Sequence, residues 1–88
     1  MLSKTFSVNN DIAMANENDV CVIRNNKKQD ILVTNSIGKN ILNYKGEKIE
    51  TIITNIHAEF TNLKREKIQE DVLEFIKQCI EKDVGVIE

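Results

Sequence analysis

Thr34-Asn35-Ser36-Ile37-Gly38 is the stretch at which the hydrophobic pattern of this chain changes its period. Before it, short β-rich runs alternate with Asn-rich turns, whereas after it longer segments carry apolar residues at helical spacing. The sequence therefore predicts an α+β fold in which the strands come first and the helices second.

Upstream of this stretch, three runs are typical of antiparallel strands. They are Ile12–Ala15, Val20–Arg24 and Asp30–Val33. The short polar side chains of Asn16-Glu17-Asn18-Asp19 favour a turn, so the first two runs are predicted to form a hairpin. A second turn at residues 25–29 leads to the third strand, and the three strands are expected to form a small sheet with an exposed edge. Phe6 and Val8 alternate with polar neighbours and predict a further extended segment.

Downstream, the apolar spacing predicts three helices. Asn35 is a suitable N-cap for the first, because its side-chain oxygen can accept from the free N–H groups of the first turn, and this helix ends near Tyr44. The second helix runs from about Ile49 to about Phe60, and the third runs from about Lys64 to Lys82. The apolar faces comprise Ile37, Ile41 and Leu42, then Ile49, Ile52, Ile53, Ile56 and Phe60, and finally Ile68, Val72, Phe75, Ile76, Cys79 and Ile80.

Length and composition limit the kind of protein this is. A chain of 88 residues is expected to form one domain, residues 1–88, with little room for a deep catalytic cleft. No run approaches the ~18 apolar residues of a membrane span, and the N-terminus lacks the apolar core of a signal peptide, so a cytoplasmic protein without a membrane partner is predicted. Cys21 and Cys79 are isolated, which favours buried, reduced thiols over a disulfide or a metal site.

Catalysis finds little support in the residue types. His57 is the only histidine and has no partner at a recognisable catalytic spacing, which indicates a partly exposed helix residue. Gly38, Gly46 and Gly85 do not form a phosphate-binding loop; Gly46 is expected to end the first helix and Gly38 to allow close packing within it. The sequence thus predicts a protein that is not an enzyme and that has no cofactor and no metal.

Three helices with a β-ribbon also match a winged helix-turn-helix, so DNA binding is an alternative. The net charge of −2 and the stripe of Glu66, Glu70 and Glu74 along the third helix oppose it, because phosphates require Lys and Arg there. The residues 84–88 are in addition too short for the wing that usually follows a recognition helix. No nucleic acid is therefore expected as a partner.

The order of Thr34-Asn35, Gly46 and Asp71-Val72 resembles the pyrroloquinoline quinone biosynthesis protein D family. The wider group is called the RiPP recognition element, where RiPP denotes a ribosomally synthesised and post-translationally modified peptide. In that family a Leu-Asn pair opens a helix, a glycine turn follows, and a helix with an Asp-Val motif closes a winged helix-turn-helix-like domain. The resemblance extends from about Phe6 to Ile87, although Thr34 replaces the leucine and lysines occupy the caps of the last two helices.

This resemblance implies a domain that binds the leader of a precursor peptide and presents it to a separate modifying enzyme acting in trans, such as a radical enzyme, a cyclase or a leader peptidase. An edge strand can accept a leader as an added strand, with alternate side chains in a groove beside the third helix. The candidate peptide-binding residues are Asp30, Ile31, Leu32, Val33 and Thr34 on the strand and Asp71, Glu74, Phe75 and Gln78 on the helix.

Two interpretations of the helix residues stay open. Phe75 is expected to be a core residue whose edge lines the groove. Asp71 and Glu74 either receive a basic leader side chain or belong to a solvated face with pairs such as Lys67–Asp71 and Glu74–Lys77. Besides leader binding and DNA binding, a third functional hypothesis is a generic interaction module that uses the same edge strand, including a weak homodimer.

Overall fold

The computed structural model describes residues 2–9, 12–17, 20–27, 30–34 and 36–88. Its architecture is α+β, as predicted, with the helices following the main sheet. The elements in chain order are β1 (Phe6–Val8), β2 (Ile12–Glu17), β3 (Val20–Asn25), β4 (Asp30–Thr34), α1 (Ser36–Asn43), α2 (Ile49–Glu59), α3 (Arg65–Glu81) and β5 (Gly85–Ile87). The proposed N-cap Asn35 and the loop residues 18 and 19 lie outside the described residues.

The predicted three-stranded sheet is confirmed, with the antiparallel order β2-β3-β4. Its strands extend a residue or two beyond the predicted runs, so that Glu17 pairs with Val20 across the hairpin and Thr34 pairs with Cys21. One face of the sheet buries Cys21, Ile23 and Leu32 against the helices. β4 therefore lies at an edge of the sheet, as the sequence predicted.

A second sheet joins the two ends of the described chain. The extended segment predicted at Phe6 and Val8 is β1, which pairs antiparallel with β5 in the register Phe6↔Ile87 and Val8↔Gly85. The pairing is continued at the ends, where Thr5 and Glu88 exchange backbone N–H···O bonds of 3.0 and 2.9 Å. The sequence interpretation treated residues 84–88 only as too short for a wing, and it missed this strand.

The helices form within about two residues of their predicted bounds. α2 buries Ile49, Ile52, Ile53 and Ile56, and α3 buries Ile68, Val72, Phe75, Ile76 and Cys79. These side chains form one core with Phe6, Ile23, Ile41 and Val84, all of which have no exposed surface. α1 ends at Asn43, and Gly46 lies in the following turn with a left-handed φ of 88°. Both thiols are free and buried, as predicted.

Asn25 fastens the sheet to the end of α3. This side chain is 4% exposed, and its Nδ2 donates to the carbonyl oxygen of Asp83 at 2.7 Å. Asp83 follows α3 with a φ of 55°, a left-handed conformation that turns the chain towards β5. Because Asn25 ends the central strand β3, its hydrogen bond fixes the position of the sheet relative to α3. None of the helices in the described part of the chain is long and apolar enough to cross a membrane.

Candidate functional site: a groove between an edge strand and the third helix

A groove of about 400 Å³ separates β4 from α3. The strand supplies one wall, the start of α1 supplies the floor, and the exposed shoulder of α3 supplies the other wall. The lining residues are Val33, Thr34, Ile37, Gly38, Lys67, Asp71, Glu74, Phe75 and Gln78. The groove thus lies where the sequence predicted a peptide to bind.

The strand wall offers main-chain hydrogen-bonding groups that the sheet does not use. Because Glu17 and Val20 face each other across a two-residue connection, they must form a hydrogen-bonded pair, and the bonding direction alternates along β3 from there. The odd-numbered residues of β3 therefore bond to Asp30, Leu32 and Thr34 of β4. It follows that the N–H and C=O groups of Ile31 and Val33 point away from β3, and no other described strand pairs with β4 on that side.

The floor of the groove depends on close packing between Gly38 and Phe75. A Cβ atom at Gly38 would overlap Oγ1 of Thr34 and would lie 2.8 Å from Cε1 of Phe75, which is closer than real side chains approach. Gly38 therefore lets α1 approach both the end of β4 and α3, as predicted. Phe75 is 6% exposed, so it belongs to the core while its edge lines the groove.

The helix wall is acidic. Lys67 and Asp71 form an i,i+4 ion pair with an Nζ–Oδ1 distance of 3.1 Å, one of the pairs expected from the spacing. The hydrogen bond to Asp71, followed by the attraction of Asp71 and Glu70, raises the pKa of the Lys67 ammonium, which therefore stays charged at neutral pH. Glu74 is exposed on the same wall. With one ammonium and two carboxylates, this wall carries a net negative charge and favours a basic ligand side chain.

Six of the nine candidate residues line the groove, namely Val33, Thr34, Asp71, Glu74, Phe75 and Gln78. Ile31 lies two residues before Val33 on the same edge strand, and its side chain is 54% exposed. Leu32 is 7% exposed and faces the core, so its side chain does not reach the groove. Asp30 begins β4, and its side chain lies outside the described part of the structure.

Three lining residues were not among the candidates. Ile37 and Gly38 belong to α1, and they reach the groove because this helix begins directly after the edge strand. Gly38 carried a signal, since a glycine within a helical pattern indicates a close approach. Lys67 carried another, since its spacing from Asp71 places it on the same shoulder of α3.

Other chemistry has less support among the described residues. Glu66, Glu70 and Glu74 are all exposed on α3, which confirms an acidic face where a DNA reader carries basic residues. No group of three or more His, Cys, Asp or Glu in the described ranges is placed to hold a metal ion. His57 is half-buried on α2 and is not one of the residues that line the groove.

Comparisons with known proteins agree with this architecture. Residues 21–84, about three quarters of the chain, match the family model described as coenzyme PQQ synthesis protein D (PqqD). Among solved structures, the chain is similar to TbiB1 in complex with the TbiA(beta) leader peptide, with a TM-score of 0.76 and 18% identity over 90% of this chain and 93% of that chain. At this identity the likeness shows a shared fold. No curated protein sequence is significantly similar to the chain.

Proposed function

The chain belongs to the coenzyme PQQ synthesis protein D family, and from that premise we propose that it binds the leader of a ribosomally synthesised precursor peptide. The leader adds as a strand to the free edge of β4, in the groove beside α3. One observation carries the proposal: β4 directs the backbone groups of Ile31 and Val33 outwards, and Val33 lines a groove of about 400 Å³ between this edge and α3. The similar fold of TbiB1, which was solved with a leader peptide, supports it.

Strand addition alone is too weak to hold a leader. Ile31 and Val33 offer one donor and one acceptor each, so a leader gains about four main-chain hydrogen bonds worth a net ~0.5–1.5 kcal/mol apiece. Ordering a disordered segment costs about 2–5 kcal/mol, which cancels most of this gain. Side chains must supply the rest, and the edge of Phe75 with Ile37 offers an apolar contact to leader side chains that point into the groove.

The charges of the groove indicate what kind of leader it accepts. Glu74 is exposed and, in the described part of the chain, forms no ion pair like that of Lys67 with Asp71, so a Lys or Arg of the leader is expected to pair with it. The domain itself supplies no chemistry in this proposal. It presents the bound precursor, in the cytoplasm, to a separate enzyme such as a radical enzyme, a cyclase or a leader peptidase.

The decisive test removes one outward N–H from β4 and keeps the sheet. In Val33→Pro, the lost N–H faces the groove, and proline is tolerated on an edge strand when its nitrogen faces outwards. The matched control is Met14→Pro, because Met14 is exposed on the other edge strand, β2, and by the same alternation its N–H also points outwards. Each variant is titrated by calorimetry with the leader of a precursor encoded beside this protein.

We expect the wild type and Met14→Pro to bind the leader with micromolar affinity and Val33→Pro to bind at least about tenfold more weakly, the equivalent of one or two hydrogen bonds. Equal affinity of the two proline variants would refute strand addition at β4. Failure of the wild type to bind any leader, together with salt-sensitive binding of duplex DNA, would instead support the alternative of a small winged-helix DNA-binding regulator. Self-association that Val33→Pro abolishes would support the homodimer.

A further inference from the structure

A second pocket, of about 430 Å³, lies on the outer side of α3, beside the groove proposed for the leader. All the described residues that line it belong to this one helix. They are Glu70, Leu73, Glu74, Ile76, Lys77, Ile80 and Glu81. Their spacing of three and four positions places them on adjoining turns of one face.

The base of this pocket is apolar although it borders solvent. Ile76 is buried, Leu73 is half-buried, and Ile80 is 39% exposed, so this flank of a charged helix presents apolar surface to solvent. Leu73 and Ile80 lie on the flank of α3, because Val72, Phe75 and Cys79 already fill the face that packs on the core. The pocket can therefore accommodate one apolar side chain of a ligand.

The rim of the pocket is acidic. Glu70, Glu74 and Glu81 surround the apolar base together with one basic residue, Lys77. Glu70, Glu74 and Glu81 are exposed, and three carboxylates against one ammonium give the rim a net charge of −2 at neutral pH. A ligand for this site therefore combines an apolar anchor with neighbouring basic side chains.

The pocket is continuous with the leader groove through Glu74, which lines both. The groove shoulder, at Asp71 and Gln78, and the flank at Leu73 and Ile80 are separated by roughly 160° around the helix axis, at 100° per residue. At a radius of about 7 Å this arc is roughly 20 Å, which about six extended residues span. One peptide can thus occupy the groove and, after crossing α3 above Glu74, reach the pocket.

We propose that this pocket is a second subsite for the same precursor peptide and takes a basic segment with one apolar anchor. The segment lies about six residues from the strand that pairs with β4. This inference rests on the proposed function, since it assigns to the precursor a contact beyond strand addition. The apolar anchor contacts Leu73 and Ile80, and the basic side chains face Glu70 and Glu81 while the chain crosses Glu74.

The test compares three peptides made from the leader of a precursor encoded beside this protein. The short peptide contains the strand-forming segment alone, and the long peptides add eight residues on either side in turn. Each is titrated by calorimetry with the wild type and with Ile80→Ser, Glu81→Lys and Glu50→Lys. Glu50→Lys is the matched control, because Glu50 is an exposed glutamate on α2 whose reversal changes the net charge equally. Circular dichroism verifies that each variant is folded.

We expect one long peptide to bind the wild type about tenfold more tightly than the short peptide, the size of effect that one seated apolar anchor and its ion pairs give. Ile80→Ser and Glu81→Lys should abolish this gain, Glu50→Lys should preserve it, and all variants should bind the short peptide equally. If the short peptide binds and neither extension adds affinity, the second subsite is refuted while leader binding stands. A gain that survives in Ile80→Ser and Glu81→Lys also refutes it. If no peptide binds, the proposed function fails and the subsite fails with it.

Discussion

Cys79 lies within the core face of α3 with no exposed surface, and burial raises the pKa of its thiol from 9.0 to about 12. Between these two values the unfolded chain ionises its thiol while the folded protein keeps the proton. The unfolded state thus binds fewer protons, and the free energy of unfolding falls as the pH rises. Below pH 9 the thiol is protonated in both states, so this contribution to stability is fully present there.

We expect the free energy of unfolding of the wild type to fall by about 2 kcal/mol more between pH 8 and pH 10.5 than that of Cys79→Ala, since one pKa unit corresponds to ~1.4 kcal/mol. Urea denaturation at the two pH values measures the difference. Cys79→Ala is less stable overall because it leaves a cavity, so the pH dependence and not the absolute stability is compared. Parallel pH dependences of the two proteins would mean that Cys79 ionises in the folded state.

For individual residues, the sequence predicted which positions pack closely in the core better than it predicted which residues line the groove or form long-range hydrogen bonds. Phe75 followed from its position on an apolar helical face, and Gly38 followed from being a glycine inside a helix. Leu32 was grouped with its strand neighbours as a groove residue, yet its side chain faces the core, because residues alternate between the two faces of a sheet. The role of Asn25 had no signal, since its acceptor, Asp83, lies 58 positions away.

At the scale of elements, α2 and α3 both begin after a lysine, but their first turns differ. Neither Lys48 nor Lys64 forms a side-chain capping hydrogen bond. In α2 the N–H groups of Ile49 and Glu50 instead donate to the carbonyl oxygens of Lys4 and Leu2, at 2.9 and 3.0 Å. The N-terminal segment thus caps α2 with its backbone, whereas no described carbonyl outside α3 does the same for the first turn of α3. In both helices the lysine places a positive charge where the helix dipole favours a negative one.

We expect Lys64→Asp to raise the free energy of unfolding by about 1 kcal/mol, because Lys64 already has the extended backbone conformation of an N-cap, with φ −72° and ψ 148°. Lys48→Asp serves as the control and should give a smaller gain, since the backbone of Leu2 already accepts from the N–H group that a cap would bind. Urea midpoints compare the variants. A gain at Lys48 equal to that at Lys64 would show that the N-terminal segment does not cap α2.

The helix bounds were predictable because periodicity and length are local properties, and Ile49–Glu59 and Arg65–Glu81 begin and end within about a residue of the predicted positions. β5 was not, because three residues carry no period and become a strand only through pairing with β1, at the opposite end of the chain. The edge position of β4 was predictable from strand order alone. Which residues of β4 direct their N–H and C=O groups outwards was not predictable, because that depends on the register across the first hairpin.

At the scale of the whole molecule, the described outer face of the three-stranded sheet exposes several apolar side chains. Ala13, Ala15 and Val20 are exposed there, and Ile31 and Val33 are 54% and 59% exposed. Sequence alternation alone predicts a polar outer face for an antiparallel sheet, so this surface departs from the usual pattern. A leader strand added to β4 would widen the same face by one strand.

Because β1 pairs with β5, the two ends of the described chain lie close together. The order of the elements along the chain can therefore be changed without changing the fold. Thr5 and Glu88 are joined by two backbone hydrogen bonds, so a linker of about six Gly and Ser residues can connect Glu88 to Leu2.

New ends placed between Thr61 and Asn62, both exposed in the turn before α3, would then give a circular permutant that begins with α3 and ends with α2. Since β4 and α3 keep all their contacts, we expect this permutant to fold and to bind the leader with an affinity within about threefold of the wild type. A permutant that folds but loses leader binding would mean that the direct covalent path from α2 to α3 shapes the groove. If it binds, the groove does not depend on where the chain begins and ends. The domain can then be inserted into a surface loop of a modifying enzyme, because its two attachment points are adjacent.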